Sequence, residues 1–142
     1  MSNETSRPRS IAILSPGDMG HGIGAALGRN GFDVVTCLSG RSPRTAALAE
    51  QGGFRIVPTL SELVNEVDAV LSILVPAQAE ALAAEVAHAF EQSRITIPFV
   101  DCNAIAPHTT ERIRATIVAA GARFIDGSII GPPPGRGSSP RL

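Results

Sequence analysis

A cluster of glycines that directly follows a short apolar run constrains the fold of this chain more than any other feature. The run is Ile11-Ala12-Ile13-Leu14, which is typical of a buried strand. The glycines that follow are Gly17, Gly20, Gly22, Gly24 and Gly28. A strand that turns through glycines into a helix brings backbone N–H groups and the positive end of the helix dipole to one point. The order of strand, glycines and helix therefore predicts a turn that binds the phosphates of a nucleotide.

Size and composition exclude several other classes of protein. The chain has 142 residues, 44% of them apolar and 18% charged, which fits one ordinary globular domain. A net charge of −1 provides no positive surface for nucleic acid or an anionic membrane. The N-terminal residues are polar, without an apolar signal segment, and the apolar runs are only a few residues long. We expect a cytoplasmic protein with no nucleic-acid or membrane partner.

The chain also lacks side chains that several mechanisms require. All twelve basic residues are arginines, and there is no tyrosine or tryptophan. This excludes a lysine-containing P-loop and a tyrosine–lysine dehydrogenase mechanism. Cys37 and Cys102 lie on the predicted second and fifth strands, roughly 14 Å apart across three strand spacings, which is too far for a disulfide. We interpret both as buried hydrophobic residues and predict no metal site, and the richness in alanine and arginine indicates a bacterial origin.

Apolar runs alternate with helical patterns along most of the chain. Strands are predicted at about 10–15, 33–38, 55–57, 69–74, 98–102 and 123–130. Helices are predicted at about 18–29, 43–51, 77–90 and 107–120, and Thr59-Leu60-Ser61-Glu62 is predicted to open a further brief helix. This alternation predicts βαβ units, and hence an α/β fold: a Rossmann-type doubly wound parallel sheet in three layers, with helices on both faces.

Three segments follow from this interpretation. Residues 1–9 are a polar arm, 10–131 a dinucleotide-binding domain, and 132–142 a Pro/Gly/Ser-rich tail leading toward a missing substrate domain. Ligands of such sheets bind at the carboxyl ends of the strands, so the residues that follow each strand are the candidates for a site.

The segment after the first strand is Ser15-Pro16-Gly17-Asp18-Met19-Gly20. It resembles the Gly-Leu-Gly-x-Met-Gly loop of the β-hydroxyacid dehydrogenases, the 6-phosphogluconate dehydrogenase-like family, with Ser15 in place of the first glycine. The resemblance implies that these six residues bind the cofactor, with Gly17 and Gly20 at its phosphates and Asp18 turned outward. Gly24 and Gly28 are predicted to let the helix pack closely on the sheet, and His21 to lie at the surface.

The segment after the second strand bears on the choice of cofactor. A site for NAD places an aspartate or glutamate here, on the adenosine ribose, whereas this chain has Ser39-Gly40-Arg41-Ser42. An arginine can pair with a 2′-phosphate, and serine hydroxyls can donate to it. We therefore predict NADP in preference to NAD, bound by Ser39, Arg41 and Ser42. Arg44 can share the role of Arg41, and the alternative is an arginine that is merely solvated.

Two further segments resemble the nicotinamide side of the same family's site. Leu74-Val75-Pro76 resembles the segment that passes under the nicotinamide ribose, which implies cofactor contacts by Leu74 and Val75. Asp101-Cys102-Asn103-Ala104-Ile105-Ala106-Pro107 resembles the family's Asp-x-Ser-Thr-x-x-Pro segment. Asn103 can hydrogen-bond the carboxamide or ribose in place of the usual serine, whereas Ala104 has no polar side chain to offer. His108, just after the helix-opening proline, is predicted to be a surface residue.

The last predicted strand ends in Asp126-Gly127-Ser128-Ile129-Ile130-Gly131. It resembles the family's Asp-Ala-Pro-Val-Ser-Gly-Gly substrate segment, which implies that Gly127 and Ser128 bind a substrate carboxylate through backbone N–H groups and a hydroxyl. For Asp126 two roles stay open: bracing the strand end, or touching substrate.

In that family a hydride moves between the nicotinamide and a hydroxy-acid carbon, and a lysine of a following helical domain handles the proton. This chain contains no lysine. The resemblance thus implies the NADP-binding domain of an oxidoreductase for a small carboxylate-bearing hydroxy acid, incomplete for catalysis, with a helical C-terminal domain or a homodimer as its partner. An imine reductase relative would share the architecture. The alternative is a stand-alone NADP-binding or regulatory module without chemistry, and no catalytic residue is assigned.

Overall fold

Parallel strands account for the whole sheet of this protein. The structure is a computed structural model that describes residues 9–14, 18–37, 43–74, 76–103 and 105–127. The strands are β1 (Ser10–Leu14), β2 (Asp33–Cys37), β3 (Arg55–Val57), β4 (Ala69–Ser72), β5 (Phe99–Asp101) and β6 (Phe124–Asp126). Their order in the sheet is β3-β2-β1-β4-β5-β6, and every neighbouring pair is parallel. The predicted doubly wound sheet is confirmed.

Within the described residues, five helices connect the strands. They are α1 (Asp18–Arg29), α2 (Pro43–Gln51), α3 (Leu60–Glu66), α4 (Pro76–Ser93) and α5 (Pro107–Ala119). Thr59 caps α3, because its hydroxyl oxygen accepts the backbone N–H of Glu62 at 3.2 Å. None of the described helices combines the length and apolar character that crossing a membrane demands.

The two faces of the sheet carry separate apolar cores. In β1, Ala12 and Leu14 pack with residues of α3, α4 and α5, whereas Ile11 and Ile13 pack with Ile23 of α1 and residues near α2. Successive side chains of a strand point to opposite faces, so a strand that is apolar at every position needs helices on both sides. The three-layer arrangement is therefore confirmed.

Element boundaries differ from the sequence prediction mainly at the carboxyl ends of strands. β4 stops at Ser72 instead of about residue 74, and α4 begins at Pro76 instead of about residue 77. Proline suits this place because its missing N–H would have no partner in the first helical turn. β6 ends at Asp126, and residues 128–130 of its predicted continuation lie outside the described residues.

Among the described residues, left-handed backbone follows four of the helices. Gly31 (φ +90°), Gly53 (φ +73°) and Gly121 (φ +86°) follow α1, α2 and α5, and glycine adopts this backbone without strain. After α4 the same conformation falls on Arg94, with φ +56°. A non-glycine residue adopts this region only at an energetic cost.

Of the two glycines predicted to bring α1 close to the sheet, only Gly24 does so. A Cβ on Gly24 would lie 2.0 Å from Cζ of Phe54, the residue before β3. Gly28 is exposed, and apart from its chain neighbours and the backbone of its own helix no described atom lies within 4 Å of the place its Cβ would take. The packing prediction is wrong for Gly28, because the last turn of α1 extends beyond its contact with Phe54.

The two cysteines lie on opposite faces of the sheet. Cys37 belongs to the core under α3, α4 and α5, and Cys102, directly after β5, belongs to the other core. The strands β1 and β4 separate β2 from β5, and both thiols are buried and free. The prediction of two buried, unlinked cysteines is confirmed.

Candidate functional site

The strand order places a crevice at the carboxyl ends of β1 and β4. These strands are neighbours, but the chain runs outward from β1 to β2 and β3 on one side and from β4 to β5 and β6 on the other. The connections therefore leave in opposite directions and open a gap between the helices that follow the two strands. Such a switch point is where doubly wound sheets bind their ligands.

The first turn of α1 opens into this crevice. The helix begins at Asp18 soon after β1, and Gly20 in its first turn is buried. Twelve helical residues align their dipoles behind this end, so its backbone N–H groups attract an anion. Of the residues predicted for the phosphate turn, Ser15, Pro16 and Gly17 lie outside the described residues, and Asp18 and Met19 belong to the first turn.

His21 does not project freely into solvent. It is half-buried, and its Cδ2 lies 3.0 Å from where a Cβ of Gly52 would stand, at the end of α2. The imidazole therefore packs between α1 and α2, and the sequence prediction of a surface residue holds only in part.

The predicted adenosine-side residues follow β2. β2 ends at Cys37 and pairs with β1, so the segment after it leaves beside the carboxyl end of β1. Ser39, Arg41 and Ser42 lie outside the described residues, and Arg44 is exposed in the first turn of α2. The proposed contacts of Ser39, Arg41 and Ser42 stay predictions.

A row of four residues crosses the sheet at its carboxyl edge. In-register pairing joins Leu14 to Ser72, Ser72 to Asp101 and Asp101 to Asp126. Leu14, Ser72 and Asp101 are each 1% exposed. The apolar core under α3, α4 and α5 thus ends in a buried hydroxyl and a buried carboxylate. Sequence reasoning did not single out Ser72 or Asp101 for this edge, although both are polar residues that end otherwise apolar strands.

Asn103 ties the two central segments of this edge together. Its Oδ1 accepts the backbone N–H of Leu74 at 2.8 Å, and its Nδ2 donates to Oγ of Ser72 at 3.1 Å. Since a backbone N–H can only donate, the atom that faces Leu74 must be the carbonyl oxygen. Asn103, predicted as a cofactor ligand, is 8% exposed, and its side chain uses one donor and one acceptor in hydrogen bonds within the protein. We call the two side-chain hydrogen bonds of Asn103, to Leu74 and Ser72, the bridge.

Asp101 is a buried carboxylate beside the bridge. Its Oδ1 accepts the backbone N–H of Asn103 at 2.9 Å, and its Oδ2 has no hydrogen-bond partner within the part of the chain that the structure describes. Burial raises the pKa of Asp101, the hydrogen bonds from Asn103 oppose the rise, and the negative charge of Asp126 adds to it. The charge on Asp101 is therefore costly at neutral pH.

The end of β6 departs from one detail of the prediction. The N–H of Gly127 donates to the carbonyl oxygen of Asp101 at 2.8 Å. It continues the sheet ladder and is not free for a substrate carboxylate, so the predicted N–H donation is wrong for Gly127. A Cβ on Gly127 would lie 3.3 Å from Cγ1 of Val100, which favours glycine here. Asp126 is exposed, and Ser128 and Val75 lie outside the described residues.

Two other polar side chains near the edge are accounted for without a ligand. Burial raises the pKa of Cys102 to about 12, so its thiol stays protonated and is a poor nucleophile at neutral pH. His108 is exposed as the second residue of α5, which confirms the surface position predicted for it. Within the described residues, no group of three His, Cys, Asp or Glu side chains is placed to hold a metal ion.

A family model described as the NAD binding domain of 6-phosphogluconate dehydrogenase matches residues 10–138 of the chain. No curated protein matches the sequence. A solved structure of a conserved hypothetical protein from Sinorhizobium meliloti 1021 is 25% identical, with a TM-score of 0.73, and the match covers 89% of this chain and 43% of that one.

Two enzymes share the fold at lower identity. The 3-hydroxyisobutyrate dehydrogenase of Mycobacterium tuberculosis, solved with L-serine, is 23% identical with a TM-score of 0.76, over 89% of this chain and 42% of that one. An imine reductase from Myxococcus stipitatus, solved with NADP⁺, is 18% identical with a TM-score of 0.70, over 87% and 42%. A V8 variant of that reductase was solved with NAD⁺. The chain spans less than half the length of these structures.

Proposed function

Since the chain belongs to the family of NAD-binding domains of 6-phosphogluconate dehydrogenase, we propose that it is the NADP-binding domain of an oxidoreductase. In this proposal a hydride moves between the nicotinamide and a small, carboxylate-bearing hydroxy acid. The likeness to a 3-hydroxyisobutyrate dehydrogenase supports this substrate class. The NAD-binding domain of hydroxyacid dehydrogenase-like oxidoreductases is the general class to which the chain is assigned.

One observation carries the proposal: α1 begins at the switch point between β1 and β4, with the buried Gly20 in its first turn. A pyrophosphate needs donors and positive potential without a side chain in the way, and a glycine-containing helix N-terminus supplies them. The described residues therefore fit a dinucleotide. When bound, the nicotinamide supplies the hydride-carrying carbon; the chain binds and orients it.

The two ends of the dinucleotide are assigned to the two sides of the crevice. In this proposal the adenosine binds beside the segment after β2, and the nicotinamide binds beside the turns that follow β4 and β5, where Leu74 and Asn103 lie. The preference for NADP rests on Arg41 with Ser39 and Ser42, because no carboxylate stands in that segment to bind an unphosphorylated ribose. One solved Myxococcus reductase holds NADP⁺ and a V8 variant holds NAD⁺, so these structures favour neither cofactor. The preference for NADP therefore rests on the residues of this loop.

Proton transfer is assigned to a part that this chain does not provide. Hydride transfer to or from a hydroxy acid needs a group that handles the hydroxyl proton, and the chain has no lysine for it. We therefore expect dinucleotide binding with little or no turnover by these 142 residues alone. The alternative is a stand-alone NADP-binding or regulatory module without chemistry.

Isothermal titration calorimetry with NADP and NAD tests the proposal. We expect NADP to bind at least about tenfold more tightly than NAD, because a charge-assisted hydrogen bond contributes about 1.5–3 kcal/mol. Arg41→Asp should remove or reverse the preference, while Arg29→Asp, an equal charge change at the far end of α1, should leave it intact. Equal affinities for both cofactors, or no effect of Arg41→Asp, would refute the assignment of the second loop, and no binding of either cofactor would refute the function.

A further inference from the structure

We propose that Asn103 is a positioning residue that holds the turn after β4 against the turn after β5 and so shapes the nicotinamide side of the crevice. The inference rests on the function proposed above and concerns the same site. It differs from the direct ligand contact predicted from the sequence, because it assigns the amide to the protein rather than to the cofactor.

The first support is that the side chain of Asn103 hydrogen-bonds two groups at the end of β4. Leu74 lies two residues past the end of β4, where its N–H has left the sheet ladder, and Oδ1 of Asn103 accepts it at 2.8 Å. Nδ2 of the same amide donates to Oγ of Ser72, the last residue of β4, at 3.1 Å. One side chain after β5 thus binds both the end of β4 and the turn that follows it.

The second support is that Asn103 is itself held in place. Its backbone N–H donates to Oδ1 of Asp101 at 2.9 Å, and the neighbouring N–H of Cys102 donates to the carbonyl oxygen of Ser72 at 3.0 Å. Asp101, Ser72 and Asn103 are all buried. Buried polar groups with fixed partners form a rigid unit, because breaking any one bond leaves an unpaired group out of water.

The third support is the chemistry of the side chain. A carboxamide offers a donor and an acceptor on one planar fork, as these two partners require. A serine hydroxyl is shorter and has one polar atom for both places. A carboxylate at this position can accept from the Leu74 N–H and from the Ser72 hydroxyl, but it adds a second negative charge beside the buried Asp101. The bridge therefore selects asparagine over the serine that the family usually has.

Two ligands separate positioning from general stability. NADP reaches both sides of the crevice, whereas adenosine 2′,5′-bisphosphate carries the adenosine half and no nicotinamide. We expect Asn103→Ala to weaken NADP about tenfold and to leave the affinity for the bisphosphate within about twofold. Asn30→Ala is the matched control, because the amide of Asn30 donates to the carbonyl oxygen of Ala26 at the end of α1, away from the site; it should change neither affinity.

A second variant separates positioning from direct contact. Ser72→Ala removes one partner of the bridge but leaves the amide of Asn103 free to meet a ligand. Positioning predicts that Ser72→Ala also weakens NADP, by about threefold, and that the double variant is no weaker than Asn103→Ala. If Ser72→Ala leaves NADP binding unchanged while Asn103→Ala weakens it, Asn103 contacts the cofactor directly and the proposal is overturned. Equal weakening of both ligands overturns it as well.

A measurement without ligand tests the bridge independently of the proposed function. In NMR-detected hydrogen exchange, Asn103→Ala should speed exchange of the Leu74 amide about tenfold or more. The amide of Val70, which donates to the carbonyl oxygen of Pro98 within the sheet, should keep its rate. Unchanged exchange at Leu74 overturns the bridge itself. Failure of the parent protein to bind NADP or NAD instead refutes the proposed function, so the two failures are distinguishable.

Discussion

Replacing Gly24 by alanine tests how closely α1 packs on the chain before β3. The added Cβ would lie 2.0 Å from Cζ and 2.2 Å from Cε1 of Phe54, whereas carbon atoms in contact are about 3.5–4.0 Å apart. The ring of Phe54 is rigid and only 7% exposed. It cannot swing into solvent, so α1 or the ring must shift by more than an ångström, roughly. Gly28, four residues later on the same helix, is the matched control because its Cβ would meet no described atom outside its own helix.

The expected magnitudes have opposite signs at the two positions. Overpacking a core costs about 1–3 kcal/mol, and a clash with two atoms of a buried ring places Gly24→Ala near the upper value. Alanine regains about 1 kcal/mol of helix propensity, which leaves a net loss of about 2 kcal/mol. Gly28→Ala gains the same helix propensity without a clash, so its free energy of unfolding should rise by about 1 kcal/mol. At roughly 3 °C per kcal/mol for a domain of this size, the melting temperature should fall by about 6 °C in one variant and rise by about 3 °C in the other.

Urea unfolding and thermal unfolding of both variants measure these differences. Phe54→Leu removes Cζ and Cε1, so Gly24→Ala should cost less in that background, with a coupling free energy of about 1–2 kcal/mol. If Gly24→Ala is as stable as Gly28→Ala, the close approach of α1 to Phe54 is not what requires a glycine, and the packing argument fails.

Two further predictions concern Arg94 and Asp101. Arg94→Gly should raise the free energy of unfolding by about 1 kcal/mol, because φ is +56° there; Arg94→Ala, which keeps the Cβ, should bring no gain in the same urea titration. Burial raises the pKa of Asp101 above its ordinary 3.8, so the folded protein holds this proton more tightly than the unfolded chain. The stability that the protonated carboxyl of Asp101 contributes is therefore present at low pH and is lost as pH rises through the folded pKa. The free energy of unfolding of the parent, relative to that of Asp101→Asn, should rise as pH falls from 7 toward about 4. If urea unfolding gives the two proteins parallel pH profiles, the pKa of Asp101 is not raised in the folded protein.

Local patterns explain which parts of the fold could be predicted. β3 was predicted at 55–57 and is Arg55–Val57, and the first helix was predicted at about 18–29 and is Asp18–Arg29. These features depend on residues close together in the chain. The ends of β4 and β6 were placed too far along, because a strand ends where its neighbours stop pairing, and the sequence does not display its neighbours.

For the site, the sequence by itself determined the α/β class, the alternation of strands and helices, and a glycine in the first turn of α1. It did so because strands that are buried on both faces and closely packed helix starts each require particular residues at short spacing. Only the tertiary structure decided what the polar residues at the carboxyl edge do. Asn103 binds Leu74 and Ser72, which precede it by 29 and 31 residues, and the N–H of Gly127 is taken by Asp101. Such bonds arise where separate strands end side by side, and the strand order that brings those ends together is a property of the folded sheet.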